Sequence, residues 1–220
     1  MYIDIHTHHS QCRNICIQNI VIENKMPIFI NQNNYYSAGI HPWYLPENVN
    51  ESLYILRKTL QSKKIIAIGE IGLDFHPNII KKNSKKQQIE IFKQQIALGD
   101  KLQKPLIIHC VKAWDILLEL KNKNKNKIPW IIHGFNKNKE LAKQLIKAGF
   151  YLSFGANIIT NSVNAEAIQT IPLNKIFLET DNQTIYDIKT IYTKASNLLN
   201  ISKETLTQEL IHNFSIFQKI

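Results

Sequence analysis

Short apolar runs, each closing on a polar residue, recur along the chain. They read YIDIHTH (2–8), ICIQNIVIE (15–23), YYSAGIH (35–41), KIIAIGEIG (64–72), PLIIHC (105–110), PWIIHGF (129–135), FYLSFGAN (150–157) and KIFLETD (175–181). Isoleucine-rich runs of this length predict buried β-strands. Helical periodicity lies between the later runs. Residues 50–62 and 84–103 place apolar side chains three and four apart, and shorter amphipathic stretches cover 115–121, 138–148, 165–170 and 187–199. Gly149 after KQLIKA predicts a helix stop. Ser202, with Ile201 before it and Thr205 three residues on, predicts a capped last helix.

Strand–helix alternation with near-continuous apolar strands predicts an α/β fold with a parallel sheet covered by helices. Eight strands predict a (β/α)8 TIM-like barrel, here as a single domain over residues 1–220. Between the first and third runs there is no helical pattern, only stretches such as ENKMPIFINQNN (23–34), so the early outer helices should be short or missing. An open doubly wound sheet is the alternative. It is disfavoured because no glycine-rich phosphate loop follows any strand.

Residues i and i+2 of a strand point the same way, so His6 and His8 form a chelating pair at the end of the first strand, and His9 points away from them. His41, Glu70, His109, His133 and Asp181 hold the same place on later strands. Carboxyl ends of barrel strands meet at one face. A single histidine there is usually a hydrogen-bonded core residue, but five of the 8 histidines sit at strand ends. Imidazole with carboxylate suits a divalent ion such as Zn²⁺ or Mn²⁺. So many ligands suit two ions bridged by a carboxylate.

The net charge of +10 favours a polyanionic partner, although lysines in patches such as KNKNKNK (121–127) also suit a solvated surface. The 3 cysteines form no complete disulfide framework, which points to a reducing cytoplasm. Cys12 and Cys16, four apart, are a conceivable thiolate metal pair. No apolar stretch reaches the length of a membrane span, and the first residues lack the pattern of a signal peptide.

Taken in order, His6-Thr7-His8, Gly39-Ile40-His41-Pro42, Gly69-Glu70-Ile71-Gly72-Leu73-Asp74, Pro105 to His109, His133-Gly134-Phe135 and Glu179-Thr180-Asp181 resemble the TatD-related metal-dependent hydrolases. The resemblance spans residues 1–181 and implies hydrolysis of DNA phosphodiesters, 3'-5' exonuclease-like, at a two-metal site. It implies that His6, His8 and Asp181 hold one ion, and that Glu70 bridges to a second ion (Zn, Mn or Mg) held by His109 and His133. His41 would contact the substrate phosphate, and Asp74 and Glu179 would orient the imidazoles. Several relatives carry arginine in an HxR arrangement where this chain reads HCVKAW, Phe-Ser-Gly where it reads Gly134-Phe135-Asn136, and Ser-Pro or Ala-Pro where it reads Asn182-Gln183. These departures leave every metal ligand in place and touch the substrate rim.

Asp181 is the expected base, with Glu70 as its catalytic companion. Trp43 and Lys112 are the expected substrate contacts, the indole stacking on a base of single-stranded or frayed DNA. Trp114 is a further aromatic candidate. No Ser–His–Asp set is visible, so a covalent acyl intermediate is not expected. A metal-dependent hydrolase of a small amide or ester is the alternative. A nucleic-acid-binding module without catalysis is a third reading, weakened by the complete ligand set. No obligate protein partner is implied.

Overall fold

The computed structural model of the chain describes residues 1–9, 14–23 and 35–217. The strands are β1 (Ile3–Thr7), β2 (Ile15–Val21), β3 (Tyr35–Gly39), β4 (Ile65–Asp74), β5 (Leu106–Val111), β6 (Trp130–Ile132), β7 (Tyr151–Phe154) and β8 (Ile176–Leu178). They follow one another in one sheet in the order β1 to β8, and the pairings β1–β2, β3–β4, β4–β5, β6–β7 and β7–β8 are parallel. Helices α1 (Val49–Thr59), α2 (Pro77–Ile80), α3 (Lys85–Leu102), α4 (Trp114–Lys123), α5 (Lys139–Lys147), α6 (Asn157–Thr160), α7 (Ser162–Gln169), α8 (Ile188–Leu199) and α9 (Lys203–Phe214) alternate with the later strands. This is the order of a (β/α)8 fold. Between β1 and β3 no helix occurs among the described residues, and residues 10–13 and 24–34, on which the expectation of short or missing early helices falls, lie outside them.

The chain falls into two compact units. One comprises the described residues of Met1–Gln18 and Ile131–Lys219, the other those of Asn19–Trp130.

In the first unit, Thr7 bridges Asp181 in parallel, which sets β1 beside the segment that follows β8. Tyr192 of α8 is fully buried, and its hydroxyl lies 3.1 Å from both the backbone nitrogen and the carbonyl of Ile3. Burial pushes the Tyr192 phenol well above its ordinary range, so it serves as a hydrogen-bonded neutral group. The predicted cap of the last helix is present, the Ser202 side chain accepting from the Thr205 amide.

The second unit is built on β4, all ten residues of which are buried. A strand buried on both faces reads as a continuous apolar run, as KIIAIGEIG does. Helix α3 begins at Ser84 in a capping box with Gln87, and its Gln95 reaches the backbone of Ile40 with both ends of its amide.

Several strands are shorter than their sequence runs. β6 stops at Ile132, β7 at Phe154 and β8 at Leu178, so His133 and the Glu179-Thr180-Asp181 segment lie just beyond the strands. The strand expected at 150–157 ends early because Asn157 opens α6. Helix α2, a proline-initiated turn capped by His76, has no helical periodicity to announce it.

Candidate metal centre

In the first unit, β1 ends in a bulge. Asp4 and Thr7, three positions apart, pair with Cys16 and Gln18, two apart, so β1 carries one extra residue between them. His6, inside the bulge, and His8, beyond it, have ring centroids 5.2 Å apart at right angles. His6 is fully buried and His8 is exposed. Asp181 meets both: its Oδ1 lies 3.6 Å from His6 Nε2 and 3.6 Å from His8 Nε2. These separations are longer than hydrogen bonds. Two ligands held by one ion at Zn–N or Zn–O distances in a tetrahedron are about 3.4 Å apart. The spacing leaves room for a cation among the three groups.

Asp181 is fixed by its backbone. Its N–H donates to His6 O at 2.9 Å, and its carbonyl accepts from His8 N at 3.1 Å. Its φ of 53° is left-handed, a region that costs a residue with a Cβ about 1–2 kcal/mol. Thr180 is tied back to Asp4: Oγ1 donates to Oδ2 at 2.6 Å and the amide donates to Oδ1 at 3.1 Å. The Thr7 and Thr180 hydroxyls are 2.9 Å apart. A cavity of about 560 Å³ borders this network, lined among others by Tyr2, Asp4, Thr7, His9 and Thr180.

His133 and Glu179 join the same unit. His133 Nδ1 lies 3.5 Å from Glu179 Oε1, and the His6 and His133 rings are 4.3 Å apart. Glu179 is completely buried; Oε1 accepts from the Gly134 amide at 2.6 Å, while the buried Oε2 has no hydrogen-bond partner among the described residues. A buried carboxylate oxygen without a donor is costly unless a cation or water meets it. His6, His8 and Asp181, and likewise His133, Glu179 and Asp181, offer ligand atoms within 4.8 Å of one another. The residues fit a divalent ion. His9 lies apart, with Nε2 3.0 Å from the Gln183 carbonyl.

In the second unit, β4 also carries an extra residue, between Ile68 and Ile71, opposite Leu106 and Ile108 of β5. Glu70 sits in that bulge, and its amide donates to Asn19 Oδ1 at 2.6 Å. Glu70 Oε1 is 3.0 Å from His41 Nε2 and 2.9 Å from His109 Nδ1. These are hydrogen-bond distances, so this cluster is held by direct contacts. His41, Glu70 and His109 form another set with ligand atoms within 4.8 Å. Gly72 permits the pairing of Glu70's strand with His109: at φ 138°, a Cβ there would sit 2.1 Å from His109 O.

Asp74 closes β4 and holds His109 from the other side. Its Oδ2 is 3.2 Å from His109 Nε2 and accepts from Trp43 Nε1 at 2.6 Å, and its Oδ1 accepts from His76 N at 2.8 Å. Gln88 holds the Asp74 backbone at both ends. Burial works to raise the Asp74 carboxyl, but the bonds from His109, Trp43 and the His76 amide outweigh it and lower it to about 2. Asp74 thus meets the His109 imidazole as a carboxylate. Trp43 is 45% exposed beside an exposed Tyr44, with the ring centroids 6.4 Å apart. Trp43 also donates its backbone N–H to His41 Nδ1 at 3.1 Å. Lys112 is exposed, at φ 53°, and Trp114 opens α4 half-buried.

Asp4, Thr180, Asn19 and Tyr44 were not singled out as site residues by sequence. For Asp4 a signal existed: a carboxylate between isoleucines in a buried strand needs partners. Cys16 and Cys110 are buried, and Cys12 of the conceivable thiolate pair lies outside the described residues.

The family described as TatD related DNase matches residues 18–217. An uncharacterized metal-dependent hydrolase of Buchnera aphidicola is 38% identical over 69% of this chain and 57% of its own length. The uncharacterized metal-dependent hydrolase YabD of Bacillus subtilis is 33% identical over 67% of this chain and 58% of its own. A 3'-5' ssDNA/RNA exonuclease TatD of Erwinia billingiae is 29% identical over 66% and 56%. The matched region thus spans less than two thirds of these relatives. Among solved structures, the TatD homolog YJJV of Escherichia coli superposes with a TM-score of 0.81 at 19% identity, over 100% of this chain and 98% of that one, which shows the shared fold. The match over residues 18–217 carries the conclusion that the chain belongs to the TatD-related family.

Proposed function

We propose that this chain is a metal-dependent deoxyribonuclease, a phosphodiesterase that works on single strands or frayed ends in a 3'-5' exonuclease-like manner as one functional domain. The observation that carries the metal dependence is the His6–His8–Asp181 cluster, whose 3.6 Å separations leave room for a cation. The proposed ligands are His6, His8, His133 and Asp181 in the first unit and Glu70 and His109 in the second. Divalent ions bound there would neutralise phosphate oxygens and lower the pKa of a bound water.

The chain's own residues supply the rest. Asp181, partly exposed, takes the proton of the attacking water. Glu70 acts with it, held by its amide bond to Asn19. His41 contacts the substrate phosphate; it is buried against Glu70, so it reaches only a group that enters the site. Asp74 and Glu179 keep His109 and His133 in place. The exposed Trp43–Tyr44 pair offers ring faces to unstacked bases, which supports a nucleic-acid substrate over a small amide or ester. Lys112, exposed and three residues after His109, is proposed to add a positive charge for the substrate, in a chain whose net charge is +10. The relative in Erwinia named as an ssDNA/RNA exonuclease supports the same reading. A cytoplasmic setting without an obligate protein partner belongs to the proposal. No described helix is long and apolar enough to cross a membrane.

The test is to strip the protein of metal, reload it with Mn²⁺, Zn²⁺ or Mg²⁺, and follow labelled single- and double-stranded oligonucleotides beside a small phosphodiester. Metal-dependent shortening of single strands, slowing as salt rises at sub-saturating substrate, is expected. Turnover of small amides or esters with no oligonucleotide cleavage, the ions being bound, would replace the proposal with its alternative.

A further inference from the structure

Asp4 is 4% exposed and carries a carboxylate into an apolar strand. Burying such a group costs several kcal/mol unless it is fully bonded. Thr180 supplies a donor to each oxygen: the hydroxyl at 2.6 Å and the backbone amide at 3.1 Å. Thr180 lies past the end of β8 at Leu178. Its amide therefore rests on a side chain instead of a neighbouring carbonyl. The next residue is Asp181, in the left-handed conformation and with a side chain 43% exposed. Little packing fixes that carboxylate. Its position depends on its two backbone bonds to His6 and His8 and on the peptide that leads into it from Thr180.

We infer that Asp4 and Thr180 form a clamp that sets the affinity of the His6–His8–Asp181 cluster for its ion, and that both are positioning residues. The inference rests on the reading of that cluster as a metal site. The bulge between Asp4 and Thr7 is part of the device. One extra residue lets Asp4 and Thr7 both reach Thr180 while His6 and His8 reach Asp181. The five-residue stretch Asp4 to His8 thus carries both the ligands and their support. Sites of this kind tolerate displacements of only about 0.5 Å.

The experiment is Mn²⁺ calorimetry on the full chain, with circular dichroism melts to confirm folding. Asp181→Asn identifies which binding event belongs to this cluster. Thr180→Val, which keeps shape and deletes the hydroxyl, should weaken that event about 10- to 100-fold and leave any other event unchanged. Thr180→Ser, which restores the hydroxyl, should bind within about threefold of wild type by the same reasoning. Asp4→Ala, which leaves the Thr180 amide unpaired, should match Thr180→Val. Wild-type affinity in both Thr180→Val and Asp4→Ala would overturn the clamp. Equal weakening by Thr180→Val and Thr180→Ser, or of every binding event alike, would reduce it to general packing. A wild-type chain that takes up no ion would instead overturn the metal reading beneath it.

Discussion

Trp43→Phe keeps an aromatic ring beside His41 and His109 and deletes one hydrogen-bond donor. The lost bond runs from the indole Nε1 to Asp74 Oδ2 at 2.6 Å, the same oxygen that faces His109 Nε2 at 3.2 Å. A hydrogen bond to a charged acceptor contributes about 1.5–3 kcal/mol. Trp43 is 45% exposed, so water replaces part of the loss and roughly 1 kcal/mol is the expected cost. In a chain of this size that lowers Tm by about 2–4 °C. Asp74 keeps its bonds from His76 and Gln88, so it stays in place but holds His109 less firmly. kcat should fall about 3- to 10-fold on every substrate, the effect of about 1 kcal/mol of lost orientation. Trp43→Ala removes the ring as well. Stacking on a base is worth about 1–3 kcal/mol, so KM for a single-stranded oligonucleotide should rise about 5- to 150-fold. The assay is steady-state kinetics on an oligonucleotide and on a small phosphodiester. Both variants should share the kcat loss on both substrates, and only the alanine should raise KM, on the oligonucleotide alone. Wild-type kcat and Tm in Trp43→Phe would refute the coupling through Asp74. Equal KM in the two variants would refute stacking. The same variant has a pH signature. Asp74 lies near 2, below its ordinary 3.8, so its contribution to stability is present above pH 3.8 and is lost as pH falls through about 2. Removing the indole donor moves the folded-state value upward, so acid unfolding of Trp43→Phe should begin at higher pH.

Asp181→Asn should keep the fold but lose most turnover, because it removes a base and a ligand charge together, while His9→Ala, whose ring faces the Gln183 carbonyl, should retain nearly full activity; equal losses would show that the assignment of the β1 side chains is wrong. Gly72→Ala places a Cβ 2.1 Å from His109 O at a φ of 138°, so it should destabilise the chain by about 2–5 kcal/mol in urea unfolding, and a change under 1 kcal/mol would show that β4 and β5 can part freely.

The ligand candidates were legible in the sequence because two local rules suffice to find them. Alternation marks a buried strand, and a polar residue closing it marks an end that faces chemistry. His6, His8, His41, Glu70, His109 and Asp181 emerge in this way, and the structure places each of them in a cluster of His and carboxylate groups within its own unit. His133 and Glu179 were found by the same rule, although β6 and β8 stop before reaching them.

The support of those side chains was not legible, because it depends on partners far apart in the chain. The bulges at Asp4–Thr7 and at Glu70 are mismatches of register between two strands, and no property of one strand alone announces them. Asp4 meets Thr180 across 176 positions, and Trp43 meets Asp74 across 31. Trp43 illustrates the difference: its sequence context suggested a stacking surface, whereas tertiary structure also made it a donor to the carboxylate behind His109. Residue type and strand period determined which groups could bind an ion; pairing register and long-range hydrogen bonds, which only the folded chain brings together, decided how each group is aimed.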